Sequence, residues 1–121
     1  MIYTSYYGNL RNIPRGIVPI NIANITPYNY MGPSLPALFP PWWLVERYKT
    51  DGDWASYVDI YTKRVLNVFD PKEIENAINQ IASGGDAVLI CYERPEKHCH
   101  RHLVRDWLNK NDIPCKEWEV L

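Results

Sequence analysis

The run Ala87–Tyr92, AVLICY, restricts the fold of this chain more than any other segment. It carries no charge, and the turn-rich SGGD and ERPE flank it. An unbroken apolar run of this length reads as an interior parallel strand covered on both faces. Downstream, CHRHLVRDWLNKN places Leu103, Val104, Trp107 and Leu108 on one helical face, and CKEWEV reads as a short closing strand. Strand, loop, helix and strand make a right-handed parallel crossover.

The segments before it agree. MIYTSYYG predicts a strand over Ile2–Tyr6 broken at Gly8 and Asn9, and GIVPINI predicts another over Ile17–Ile22. Pro19 cannot donate to a ladder, so that second strand should lie at an edge or carry a bulge. WWLVERYK opens a short helix, and Trp54, Tyr57, Val58, Tyr61, Val65, Leu66 and Phe69 form a helical stripe. DPKE reads as a helix start, with Asp70 as N-cap, Pro71 at the first helical position and Glu73 completing a capping box. Ile74, Ala77, Ile78 and Ile81 supply its buried face, and Gly84 and Gly85 end it. Between the second strand and these helices, TPYNYMGPSLPALFPP (residues 26–41) is too proline-rich for a long helix and too apolar for a linker. It reads as an ordered loop wrapped over the domain and long enough to act as a lid. The expected class is α/β: one small three-layer domain over residues 1–121, with a mostly parallel sheet of about four strands flanked by helices, and a long Pro/Tyr-rich loop.

Charge and cysteine content narrow the function classes. Thirteen basic against 14 acidic residues leave a net charge of −1. That balance weighs against a general nucleic-acid binder. Three cysteines give no paired framework, no secretion signal is visible, and the apolar runs are too short to span a bilayer. The expectation is a cytoplasmic protein with free thiols and no membrane partner.

The chemistry is concentrated in CYERPEKHCHRH, Cys91–His102, which holds every histidine of the chain, two of its cysteines and two arginines. Ligands in open α/β sheets bind beyond the carboxyl ends of the strands. Cys91, Tyr92 and Glu93 leave the central strand at that edge, and Cys99, His100 and Arg101 enter the next helix there. Pro95 keeps the intervening RPEKH loop non-helical. Three readings compete. A zinc site is disfavoured: His98 and His102 are four apart, but no C-x-x-C pair exists and His98 sits at the helix boundary. A thiol enzyme is better founded. Cys99 in a first helical turn, beside Arg101 and the imidazoles, should gain thiolate character, with His98 or His100 as base. No phosphate-loop spacing links either Cys91 or Cys99 to Arg101, and Cys91 and Cys115 also fit as apolar filler.

The third reading is an anion pocket. Arg101 and the helix N-terminus would take a phosphate and Glu93 a hydroxyl or a proton, while a tyrosine among Tyr6, Tyr7, Tyr28 and Tyr92 would stack on a ring. Gly8 and His98 would complete the lining. Glu93 and Arg101 could equally pin loop to strand as an ion pair, and His100 could be a hydrogen-bonded structural residue. The function expected is binding of a small phosphate-bearing, nucleotide-like ligand at the sheet edge, with or without turnover, and with no required cofactor. The alternatives are a Cys99-dependent enzyme and a protein- or nucleic-acid-interaction module. In the last case Trp42 and Trp43 would mark the contact surface, although burial is the expectation for both.

IYTSYYGN at the start, LICYERPEKHCHRHLVRDWL near the end and the closing short strand together resemble the domain-of-unknown-function family 488, over nearly the whole chain. The resemblance implies a compact α/β domain in which Cys91, Glu93, Cys99, His100 and Arg101 share one site, joined by Tyr6 and Gly8. It implies no particular reaction.

Overall fold

A computed structural model describes residues 1–93 and 96–119; the expectation for Pro95 lies outside them. Four strands, β1 (Ile2–Tyr6), β2 (Ile17–Asn21), β3 (Asp86–Cys91) and β4 (Cys115–Glu117), form one sheet in the order β2-β3-β1-β4. Every pairing is parallel. The apolar run therefore occupies an interior position, and Pro19 sits on the edge strand β2, opposite Val88.

Alternation along β3 divides the core. Ala87, Leu89 and Cys91 point to the face covered by α1 (Trp42–Asp51), α2 (Trp54–Arg64), α3 (Pro71–Ile81) and α4 (His100–Lys110). Their buried partners include Leu44, Tyr61, Ile78, Val104 and Leu108. Val88 and Ile90 point the other way, onto Ile17, Tyr3, Leu10, Ile13 and Trp118. That second face is covered by a 3-10 turn over Tyr7–Asn12 and one tryptophan, so the third layer is thin. The first strand thus coils directly into a turn at Tyr7 instead of breaking at Gly8. A Cβ at Gly8 would stand 3.0 Å from the Tyr6 ring, so any larger residue there would press on that ring.

Helix ends follow local chemistry, with two departures from expectation. The stripe that begins at Trp54 does not run as one helix to Phe69. α2 ends at Arg64, with Val65 as its C-cap still bonded through N–H to Tyr61 O, a 3-10 turn over Leu66–Val68 follows, and Leu66 is buried while Val68 is exposed. At α3, the Asp70 carboxylate accepts from Lys72 N (3.0 Å) and Glu73 N bonds the Asp70 carbonyl, so Asp70 caps the helix as expected but the reciprocal capping box with Glu73 is not formed among the described residues. Asp51-Gly52-Asp53 both stops α1 and starts α2. Gly52 takes φ +63° with its N–H on Tyr48 O, and Asp53 accepts from Ser56 N. The 26–41 segment is ordered as expected: Leu35 and Leu38 enter the core, and Tyr61 donates its hydroxyl proton to Leu38 O at 2.7 Å. No helix among the described residues is long and apolar enough to cross a membrane.

The Asp70 cap gives a direct check on α3. Asp70→Ala should cost about 1 kcal/mol, read as a lower urea midpoint with an unchanged slope.

Candidate functional site

Parallel strands end together, so the carboxyl ends of β1, β2 and β3 bring Tyr6, Asn21 and Cys91 to one edge. The chain leaves β3 after Cys91 and returns at Cys99, the N-cap of α4. Expected convergence of strand end and helix start is what the structure has.

Arg101 sits at the centre and is fully buried. Its Nε donates to Glu117 Oε1 (3.1 Å) and its Nη2 to Glu117 Oε2 (2.9 Å), a two-pronged ion pair. Nη1 donates to Cys91 Sγ (3.2 Å) and to the carbonyl oxygen of Glu93. The Tyr6 ring lies 5.6 Å from the guanidinium carbon, and Thr4 donates to Glu117 Oε1 at 2.6 Å. The expected Arg101–Glu93 ion pair is therefore replaced. Arg101 meets the main chain of Glu93, and its counter-ion is Glu117 on β4. A buried charge needs a buried partner, and Glu117 is the acid that alternation on β4 turns the same way as Thr4 on β1. The fully buried cation was the signal that some such acid had to exist.

The two cysteines expected to be free thiols without a partner are instead joined, Cys91 to Cys99. Strand end and N-cap face each other across the loop, which sequence spacing alone does not reveal. Cys115 is free and buried, and burial pushes its thiol up to about 12. Beside the pair lies His100, buried, with Nε2 donating to Ile22 O (2.7 Å) and Nδ1 3.8 Å from Cys99 Sγ. Burial lowers His100 to about 4; Arg101 and His102 push the same way and the Ile22 carbonyl opposes them. Near neutral pH the imidazole is thus uncharged, with its proton on Nε2 and its Nδ1 lone pair toward the sulfurs. His98 precedes α4, so the expected His98/His102 helical face does not form.

A hollow of about 490 Å³ opens at this edge. Of the residues singled out from sequence, Cys91, Tyr92, Glu93, His98, Cys99 and His100 line it. Arg101, Tyr6, Tyr7, Gly8 and Tyr28 do not. Tyr7 donates to Asn21 Oδ1 (2.6 Å) and packs against Tyr30 and Tyr92, and Tyr28 is fully exposed away from any ring. The opposite wall comes from α1 and α2: Trp42, Tyr48, Lys49, Trp54 and Tyr57. Four rings stack nearly parallel from core to rim, Tyr61 on Tyr57 (15°), Tyr57 on Trp54 (17°) and Trp54 on His98 (13°). Trp42 and Trp43 are both exposed, against the expected burial, with Lys49 Nζ 5.4 Å from the Trp42 ring. This wall was missed because its stripe reads as ordinary helix core. The one separable signal was the excess of large rings over aliphatic residues along it.

Two measurements follow from this geometry. Removing the acid in Glu117→Ala leaves the Arg101 charge uncompensated and should cost about 3–5 kcal/mol in urea denaturation. For His100, the folded pKa lies below the unfolded 6.5, so its stabilising contribution is complete above pH 6.5 and is lost as the pH falls toward about 4. The loss should reach at most about 3 kcal/mol, and burial sets His102 in the same direction. Urea titrations across that range should show the decline in the wild type and a flatter profile in His100→Gln.

No curated protein and no solved structure matches the chain. A family model does, the one described as the active DUF488-N3 subclade, over residues 6–112. That span contains β2, β3, the four α-helices and every residue lining the hollow, and by it the chain belongs to the DUF488 family.

Proposed function

We propose that the hollow binds a small, phosphate-bearing, nucleotide-like molecule. The observation that carries this reading is the shape and lining of the cavity: about 490 Å³, at the carboxyl edge of a parallel sheet, walled by stacked rings and opening beside a helix N-terminus. Such edges are where α/β domains hold ligands. His98 is the outermost ring of the stack and is exposed, so a flat heterocycle would extend the column there. Lys49 lies on the opposite wall and would meet a phosphate together with the first N–H groups of α4. These replace Arg101 as anion partners, because the guanidinium is closed off by Glu117, Cys91 and the Glu93 carbonyl. The Glu93 carboxylate remains for a hydroxyl. The even charge balance favours a small molecule over a nucleic acid.

One contact favours a second reading, a thiol-dependent reaction in the same hollow. Arg101 Nη1 reaches Cys91 Sγ at 3.2 Å, so in the reduced protein the cationic partner belongs to Cys91, not to the Cys99 expected from sequence.

Calorimetry with matched nucleosides and nucleotides tests the first reading. His98→Ala should weaken every ring-bearing ligand about tenfold, since stacking is worth roughly 1–3 kcal/mol. Lys49→Ala should reduce the preference for nucleotide over nucleoside and leave nucleoside binding unchanged. Binding that ignores both substitutions would refute the assignment of ring and phosphate.

A further inference from the structure

We infer that the reduced protein holds one thiophilic divalent cation, zinc by its donor set, on Cys91, Cys99 and His100 at the floor of the hollow. This goes beyond the nucleotide reading and does not depend on it. Cys91 Sγ, Cys99 Sγ and the nearer nitrogen of His100 lie within 4.8 Å of one another, and all three residues are buried. Bonds of about 2.3 Å to sulfur and about 2.0–2.1 Å to nitrogen put tetrahedral donors roughly 3.6–3.8 Å apart. Cys99 Sγ and His100 Nδ1 already stand 3.8 Å apart. The Cα atoms of the two cysteines are 7.6 Å apart, wide enough for both thiolates to face one ion between them.

The surroundings are those a metal ligand needs. A ligating imidazole is held by donating its other N–H to a carbonyl or carboxylate. His100 does this through Nε2 to Ile22 O, which leaves the Nδ1 lone pair aimed at the sulfurs. Arg101 Nη1 supports Cys91 Sγ from behind. Two thiolates cancel the charge of a divalent ion, so the filled centre is neutral, as its burial requires. Three protein ligands leave a fourth position, and because all three line the hollow, that position opens into it. Binding breaks two S–H bonds, forms two metal–sulfur bonds and one metal–nitrogen bond, and releases about two protons to solvent. The Cys91–Cys99 bond must first be opened by reductant. A phosphine does so by taking oxygen from water to become its oxide, leaving two thiols. Oxidised and metal-loaded forms exclude each other.

The test is a cobalt(II) titration of the full chain, reduced with a phosphine and kept free of oxygen. Visible ligand-field bands of tetrahedral cobalt and thiolate-to-cobalt charge transfer should rise to an end point near one ion per chain and vanish on adding zinc. Cys91→Ser and Cys99→Ser should each lose these bands, and Cys115→Ser should keep them. Alkylation of the wild type mapped by mass spectrometry guards against misfolded variants. One equivalent of zinc should slow labelling of Cys91 and Cys99 by at least about tenfold without changing Cys115. Absence of tetrahedral bands from the reduced wild type, or labelling of Cys91 and Cys99 unaffected by zinc, would overturn the site. Nucleotide binding measured on metal-free protein reports separately on the ligand reading.

Discussion

A guanidinium with no exposure to solvent sets the conditions that the carboxyl edge of this sheet must satisfy. Arg101 cannot be buried without a matched acid, and Glu117 supplies one in a paired geometry that fixes both groups. Because Arg101 belongs to α4, Glu117 to β4, Cys91 to β3 and Tyr6 to β1, a single side chain ties three strands and a helix together. Its bond to the Glu93 carbonyl also fixes where the chain leaves β3. The residue that looked most like a ligand-binding cation is thus the one that locates the other members of the site.

Once that edge is fixed, the hollow divides into two chemical halves. The α1/α2 wall is aromatic, with a column of rings running from fully buried Tyr61 to exposed His98. The β3/α4 floor is sulfur and imidazole, with Nε2 of His100 committed to the Ile22 carbonyl just past β2. Under the proposed reading, the stacking wall would take the flat ring of the ligand and the sulfur and imidazole floor would face its other end. The exposed Trp42 belongs to the rim of the first half, where Lys49 lies close to it.

Strand and helix positions were legible because their signals are local. The apolar run of β3, Pro19 at the edge strand and the amphipathic face of α4 each carry their meaning within a few residues. The convergence of Cys91 with Cys99 and His100 was also legible, since it follows from the rule that sites gather at strand carboxyl ends. What escaped depended on long-range pairing. Arg101 finds Glu117 sixteen residues later through strand order, a relation no spacing encodes. Cys91 and Cys99 meet because the end of β3 and the N-cap of α4 lie at one edge of the sheet. Trp54 and Tyr57 show the helical period that core residues show, and only the tertiary arrangement turns the Trp54 end of that stripe toward a cavity. Tyr28 and Gly8 were drawn into the site by residue type. The first is wholly exposed, and the second packs closely against the Tyr6 ring outside the hollow.

Arg101 acts as a buried pin, not as a solvent-facing ligand. Hydrogen exchange at its Nε–H, followed by NMR, tests this most directly. Protection comparable to that of the β3 amides, released only by global unfolding, is the predicted result. Exchange as fast as at the half-exposed Arg47 side chain would contradict it and return the guanidinium to the pocket.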